Sequence, residues 1–259
     1  MDIRFASLPD GYALTVALGP GQEITCRISP PPGRVAFVDI LPDVFAVADA
    51  MLAQAARQAA ERGQAVTCTA GCALCCRHLV AVSDHEALLA AHMIGLLPDE
   101  TQTRIRQAFQ TTVARLEAHG LLAELLDSHA NSFADRNRIV AVQRRYWEMQ
   151  LPCPFLLDER CAIYPYRPLL CRQYLATSPP VQCHGSFLAD HLVHKLPLAY
   201  DLASAAASFD GLRAQMSRPV PLPALLLVNG LLQRHTPPQT TATAMLTAFL
   251  RHTADHFSR

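Results

Sequence analysis

Neither charge is in surplus in this 259-residue sequence, where 22 lysines and arginines stand against 22 aspartates and glutamates. With no net field to draw phosphates or an anionic membrane surface, nucleic acid is not an expected partner. Long apolar runs are missing too. The greasiest stretch, 222–232, is broken by Pro223, Asn229 and Gly230, and it falls short of the roughly 20 apolar residues that span a bilayer, so no membrane partner is expected either. The opening MDIRFASLPDG has an acidic second residue and no continuous apolar run, which does not read as an export signal; the expected location is the cytoplasm. There is no Gly-rich phosphate loop, no GxSxG elbow, no paired-carboxylate signature, no internal repeat and no low-complexity linker.

What is present is a chain with 51% apolar residues, enough to bury a sizeable core. Over the first forty residues Tyr12, Leu14, Val16 and Leu18 alternate, as do Ile24, Cys26 and Ile28, with Gly19-Pro20-Gly21 between them. This predicts a small antiparallel hairpin with Cys26 as a core residue on its apolar face. From Pro42 to Arg62 an apolar stripe at helical spacing (Val44, Val47, Ala48, Met51, Leu52, Ala55) ends at Gly63. Ser83-Asp84-His85-Glu86 reads as a capping box opening a helix to about Gly95. Further helices are expected from Pro98-Asp99 to about Gly120, over 121–129, and over 134–149 with a solvated charged face. Between Pro152 and Pro180 six prolines interrupt any period; four aromatics there (Phe155, Tyr164, Tyr166, Tyr174) read as core packing. Beyond it, 191–198 suits a strand, and 199–209, 223–233 and 240–256 suit helices. The expected fold class is α+β, mainly helical, with a small N-terminal β-hairpin and an irregular cysteine-rich metal-binding segment. We expect a single domain over 1–259, made of a β-element (1–40), a helix (41–66), the cysteine-cluster region (67–185) and a helical C-terminal region (186–259).

The cysteines are distributed unevenly. Four of the nine fall within the nine residues of CTAGCALCC, at Cys68, Cys72, Cys75 and Cys76, and four more follow at Cys153, Cys161, Cys171 and Cys183. An odd number of clustered, partly adjacent cysteines in a reducing compartment points to metal or redox chemistry and away from a disulfide framework. Neighbouring Cys75 and Cys76 close a small chelate ring that fits one tetrahedral ion poorly, so they suit different metal atoms, or one ligates while the other supports. All eight, Cys68 to Cys183, are candidate metal ligands, enough for two tetrathiolate sites or for one iron-sulfur cluster with spare thiols. The segment 152–183, having no periodic apolar face, is expected to need that metal as a staple.

CTAGCALCCRHLVAVSDHEA followed by CPFLLDERCAIYPYRPLLCRQYLATSPPVQC resembles the YkgJ-like family, also called CxxCxxCC, of zinc- or iron-chelating proteins. In that family a cysteine cluster is followed by a Cys-Pro-Phe-Leu segment and then by Cys-x-Ile-Tyr, Arg-Pro and Cys-Arg elements. This chain has C-x3-C-x2-C-C where the family name gives C-x2-C-x2-C-C. The resemblance implies chelation of iron, alone or as an iron-sulfur cluster, or of zinc by Cys72, Cys75, Cys76, Cys153, Cys161 and Cys171. Pro154, Pro165 and Pro168 then stiffen ligand-bearing loops, and Arg77, Arg167 and Arg172 offset thiolate charge and donate to sulfur.

Whether the chain is an enzyme stays open at this point. Cys68, Cys72 and Cys75 also fit the C-x3-C-x2-C of radical S-adenosylmethionine enzymes, but the strands that a β/α barrel requires are lacking. Some proteins that look like this family are flagellin lysine N-methylases, and no methyl-donor motif here carries that activity over. His85-Glu86 begins an HExxH, yet His92 lies seven residues on, too far along a helix to share a zinc. His78 and His184 adjoin the cysteines and read as solvated loop histidines; nothing converges on His191 and His194. Three functions follow: a metal-binding protein, an iron-sulfur-dependent methyl or redox transferase, and a structural zinc fold serving protein interaction.

Overall fold

The computed structural model describes residues 1–69, 71–131, 136–185, 187, 192–209, 219–232 and 237–258, without the side chains of 128–131, 136 and 231–232. Its fold class is α+β and mainly helical, as expected. The N-terminal alternation becomes a three-stranded antiparallel sheet, β1 (Asp2–Leu8), β2 (Gly11–Gly19) and β3 (Gln22–Ile28). The expected hairpin is β2–β3, with Leu14 opposite Cys26 and Val16 opposite Ile24. Leu14, Val16, Ile24 and Ile28 are buried, and Cys26 packs partly buried against the same core. Strand β1 is an addition that only Ile3 and Phe5 signal, and its pairing with β2 defines it more than its own pattern does. Gly11 makes the β1–β2 turn at φ +140°, where a Cβ would meet the Ile28 carbonyl oxygen at 2.1 Å, so no other residue fits there without moving the sheet.

Helix α1 (Leu41–Glu61) lays its predicted stripe on this sheet, burying Val44, Val47, Ala48, Met51 and Leu52, and Gly63 at φ +75° follows its end. A short strand β4 (Arg34–Val35) precedes it, and β5 (Ala81–Val82) follows the first cysteines. The capping box forms as read. Ser83 Oγ accepts from the Glu86 amide at 3.1 Å while Glu86 Oε2 accepts from the Ser83 amide at 2.9 Å, opening α2 (Asp84–Leu96). Glu86 Oε1 also accepts from the Leu169 amide at 2.6 Å, so one buried carboxylate joins two distant segments. Then come α3 (Asp99–Ala118), α4 (Leu122–Asn131) and α5 (Arg136–Glu148). The charged face of α5 is solvated as expected, with Arg145 on Glu124 and Arg138 on Asp127. Opposite it, Val142 and Tyr146 are buried against Leu116, Leu121 and Leu125. The first two residues of the 134–149 reading, Ala134 and Asp135, lie outside the described residues.

From 152 onward the elements are short: β6 (Leu156–Leu157), β7 (Arg160–Cys161) and the five-residue α6 (Leu169–Gln173). The segment is less bare than its sequence suggested, because Phe155, Ile163 and Leu169 are buried, borrowing the cores of neighbouring elements. The β6–β7 turn places Asp158 at φ 51° and Glu159 at φ 56°, left-handed values that hairpin turns demand. Arg104 of α3 holds this turn by a bidentate pair with Asp158 at 2.9 and 3.0 Å. The chain closes with α7 (Leu202–Ser208), β8 (Val220–Pro221), α8 (Leu225–Leu232), β9 (Thr240–Thr241) and α9 (Ala242–His256). The strand expected over 191–198 is not formed in its described part, where a single bridge pairs Lys195 with Ala176; His191 and Gln233 lie outside the described residues. Two-residue pairings, β4 with β9 and β5 with β8, tie early chain to late chain.

Candidate metal centre

The cysteine cluster does not form the continuous helix that its spacing allows. Gly71, at φ +85°, breaks it, and the ordered part is one 3-10 turn over Leu74–Arg77 that carries Cys75 and Cys76. The downstream cysteines arrive on three separate supports. Cys153 donates its amide to the Cys76 carbonyl at 2.7 Å, a backbone link across the long intervening chain. Cys161 sits on β7 opposite Leu156, and Cys171 sits on α6, whose start is held by Glu86.

Cys72, Cys75, Cys76, Cys153, Cys161 and Cys171 all line one cavity of about 890 Å³. These are the six cysteines that the family resemblance implied. Within this set, Cys75, Cys153, Cys161 and Cys171 form a quartet in which every pair lies within electrostatic reach. Cys68 and Cys183 are off the cavity lining. Cys68 Sγ accepts from the Ala176 amide at 3.3 Å, and Cys183, buried in the Pro180–Gly185 turn, feels Cys68, Cys72 and Cys75. All nine cysteines are free thiols. Among the described residues, no three His, Cys, Asp or Glu side chains stand close enough to hold one metal ion.

Burial favours the neutral thiol at Cys153, Cys161 and Cys171. It pushes Cys153 up to about 12 and Cys171 well above the usual thiol range, while a hydrogen bond with Cys76, reinforced by burial, pushes Cys75 far up. Metal entering here must therefore displace protons, which makes its uptake pH-dependent. The arginines divide differently from expectation. Arg167 lines the cavity, lies 4.2 Å over the Tyr164 ring, and its charge draws down Cys68, Cys75 and Cys161. Arg172 points its hydrogen bonds elsewhere: its Nη1 alone donates to both Asp49 oxygens at 2.7 and 2.9 Å, its other nitrogens donate to the Arg167 and Pro165 carbonyls, and it stacks on Phe45, while its charge still partly offsets the burial that raises Cys161. Arg77 donates to the Ala73 carbonyl at 3.3 Å and lies 3.8 Å from Glu159. Neither Arg77 nor Arg172 has a hydrogen bond to sulfur among the described contacts.

Histidine also departs from its reading. His78 is not a solvated loop residue: it packs edge-on against Tyr174 at 5.2 Å, lines the cavity, and its buried Nε2 has no hydrogen-bond partner. Burial, with Lys195 nearby, holds its pKa down to about 4. The signal was the apolar run Leu79-Val80-Ala81-Val82 that follows it, a run that buries whatever leads into it. His85 instead hydrogen-bonds the Phe209 carbonyl at 3.0 Å, away from the thiols. Tyr164, expected in the core, is 58% exposed at the cavity mouth.

Residues 67–190 match the CxxCxxCC family, described as “Putative zinc- or iron-chelating domain”. This segment is similar to that family. It covers just under half of the chain and contains all eight cysteines of the two groups. The match supports metal binding as the coarse function. No curated protein and no solved structure matches the chain. Among the described residues no helix is long and apolar enough to cross a membrane.

Proposed function

We propose that this protein chelates iron in a multinuclear thiolate centre, with Cys75, Cys153, Cys161 and Cys171 as its principal ligands. Cys72 and Cys76 are the additional thiols of the cavity wall, and Cys68 and Cys183 stand behind them as supports. The observation that carries this reading is the quartet: four partly buried thiols, each within electrostatic reach of the other three, around one cavity. A single tetrahedral zinc, with Zn–S near 2.3 Å, would draw its sulfurs to about 3.8 Å from one another. Adjacent Cys75 and Cys76 fit one such ion poorly, whereas a multinuclear centre lets neighbouring thiolates serve different metal atoms.

The donor set fits such a group, since thiolate is the soft ligand that iron-sulfur centres and zinc select. Bound iron would supply electron-transfer or Lewis-acid chemistry at that point. The chain's own part is to fix the ligands and temper their charge. Buried Pro154 and Pro168 stiffen the approaches to Cys153 and Cys171, and Arg167 offsets the negative charge gathered there. The reducing cytoplasm expected from the cysteine pattern is part of the same proposal.

Protein purified without air should contain iron and acid-labile sulfide and absorb in the visible. Cys171→Ser should lose most of that iron while Cys26→Ser, on the β2–β3 sheet, keeps it. Stoichiometric zinc with no iron or sulfide would sink the multinuclear reading.

A further inference from the structure

The cavity is far larger than a metal needs. A sphere of Zn–S radius encloses on the order of 50 Å³, and even a multinuclear centre occupies only a few times that, against about 890 Å³ here. The size falls in the range of small-molecule sites, roughly 300–1,000 Å³, which are mostly apolar with a few placed polar groups. The wall away from the thiols has that composition: Leu79, Val80, Phe155, Tyr174 and Leu222 are apolar or aromatic. Two polar groups on the lining have buried nitrogens without a hydrogen-bond partner, Nε of Arg167 and Nε2 of His78. In a folded protein such groups normally have partners, and a bound molecule is one way to supply them.

Charge selects the class of molecule. Arg160, Arg167 and Lys195 line the cavity, and among the described residues one carboxylate, that of Glu159, lines it with them. Lys195 lies 4.3 Å over the Tyr174 ring, beside His78, which places a cationic side chain at this end. We infer that the cavity binds, next to the metal centre, a small organic carboxylate. Its apolar body lies along Leu79, Val80 and Leu222, its carboxylate meets the guanidinium of Arg167, and His78 Nε2 makes the second polar contact. This rests on the metal-centre reading only in assigning the thiols to metal; the apolar wall and the cations stand without it.

The test uses the full-length protein as purified, with metal content measured on each sample, and 3-phenylpropionate as the probe in titration calorimetry. Saturable binding with Kd below about 1 mM is expected, and at least about tenfold weaker binding of 3-phenylpropan-1-ol, which has the same body without the charge. Arg167→Met should weaken the acid about tenfold and leave the alcohol unchanged; His78→Phe, which keeps the ring packing, should weaken it severalfold. The acid and alcohol binding alike, or no saturation by about 10 mM acid, overturns the inference. So does wild-type affinity in both variants. If Arg167→Met loses metal, His78→Phe and the acid-alcohol comparison on wild type still decide. Selective acid binding by protein without iron would sink the iron centre alone; an iron centre with no acid binding would sink the carboxylate site alone.

Discussion

Replacing Glu86 by alanine should be among the most damaging single changes away from the cysteines. Its side chain is 4% exposed and accepts three hydrogen bonds: from the Ser83 amide at 2.9 Å, the Ser83 hydroxyl at 2.8 Å and the Leu169 amide at 2.6 Å. Ser83 and Leu169 are themselves fully buried, so alanine strands two amides where water cannot reach them. Each costs about 1–3 kcal/mol, which with the small cavity left behind gives roughly 3–5 kcal/mol, a large share of the 5–15 kcal/mol that holds a domain. Glu86→Gln keeps one oxygen for the Leu169 amide and should cost about 2 kcal/mol; Ser83→Ala, a lost cap, about 1 kcal/mol. Burial raises the Glu86 carboxyl in the folded protein above its ordinary value of 4.5. The folded state thus binds the proton more tightly than the unfolded one. The stability this gives is complete below pH 4.5 and is lost as pH rises through the raised value. Wild type should therefore lose stability over that window while Glu86→Gln does not. Urea unfolding of the three variants and wild type across pH is the assay. An alanine variant within about 1 kcal/mol of wild type, or one less damaged than Ser83→Ala, would refute the reasoning.

Three further outcomes are expected. Arg172→Lys keeps the charge and can still reach Asp49, but cannot also donate to the Arg167 and Pro165 carbonyls, and should lose about 1–2 kcal/mol in urea unfolding; Arg172→Ala, which removes the Asp49 pair as well, should lose about 2–4 kcal/mol. A lysine variant as stable as wild type would show that the two carbonyl bonds contribute nothing. Glu159→Gly relieves a side chain held at φ 56° and should raise stability by about 1 kcal/mol, readable as a higher Tm; a lower Tm would mean that its proximity to Arg77 outweighs the strain. Removing metal with a chelator should expose 152–183 to limited proteolysis before α1 or α9 is cut, and equal protection with and without metal would rule out the staple role.

What could be read from the sequence is what nearby residues decide. The capping box at Ser83, the stop at Gly63 and the alternation through Val16 and Ile24 each rest on a few adjacent positions, and each is in the structure. The gathering of the six cavity cysteines was legible only as an expectation from their unusual grouping and the family resemblance. The pairing of Arg34–Val35 with Thr240–Thr241 was not legible, because two residues carry no period and tertiary contacts alone set the register. Arg172 misled as a donor to sulfur, though not as a charge near Cys161, because adjacency to Cys171 in sequence says nothing about which way a helical neighbour points, and α6 turns it toward Asp49. His78 was passed over since a lone histidine beside charged Arg77 resembles a surface residue until the apolar run after it is weighed.

The hydrogen bond from Cys153 to Cys76 spans 77 residues of chain, and that separation has a meaning in time. At about 5–20 residues per second of synthesis, the four clustered thiols, Cys68 to Cys76, are complete roughly 4–15 s before Cys153, and longer still before Cys171. Throughout that interval the nascent chain has thiols without the partners that would complete a centre around them. Metal capture is then a late event in the life of the chain, and the early thiols are open to oxidation or to a wrong, faster-binding ion. Ribosome-bound chains halted near residue 150 should react with a thiol-specific alkylating reagent at Cys75 and Cys76, and released full-length chains should be protected there; equal reactivity in both would contradict late closure.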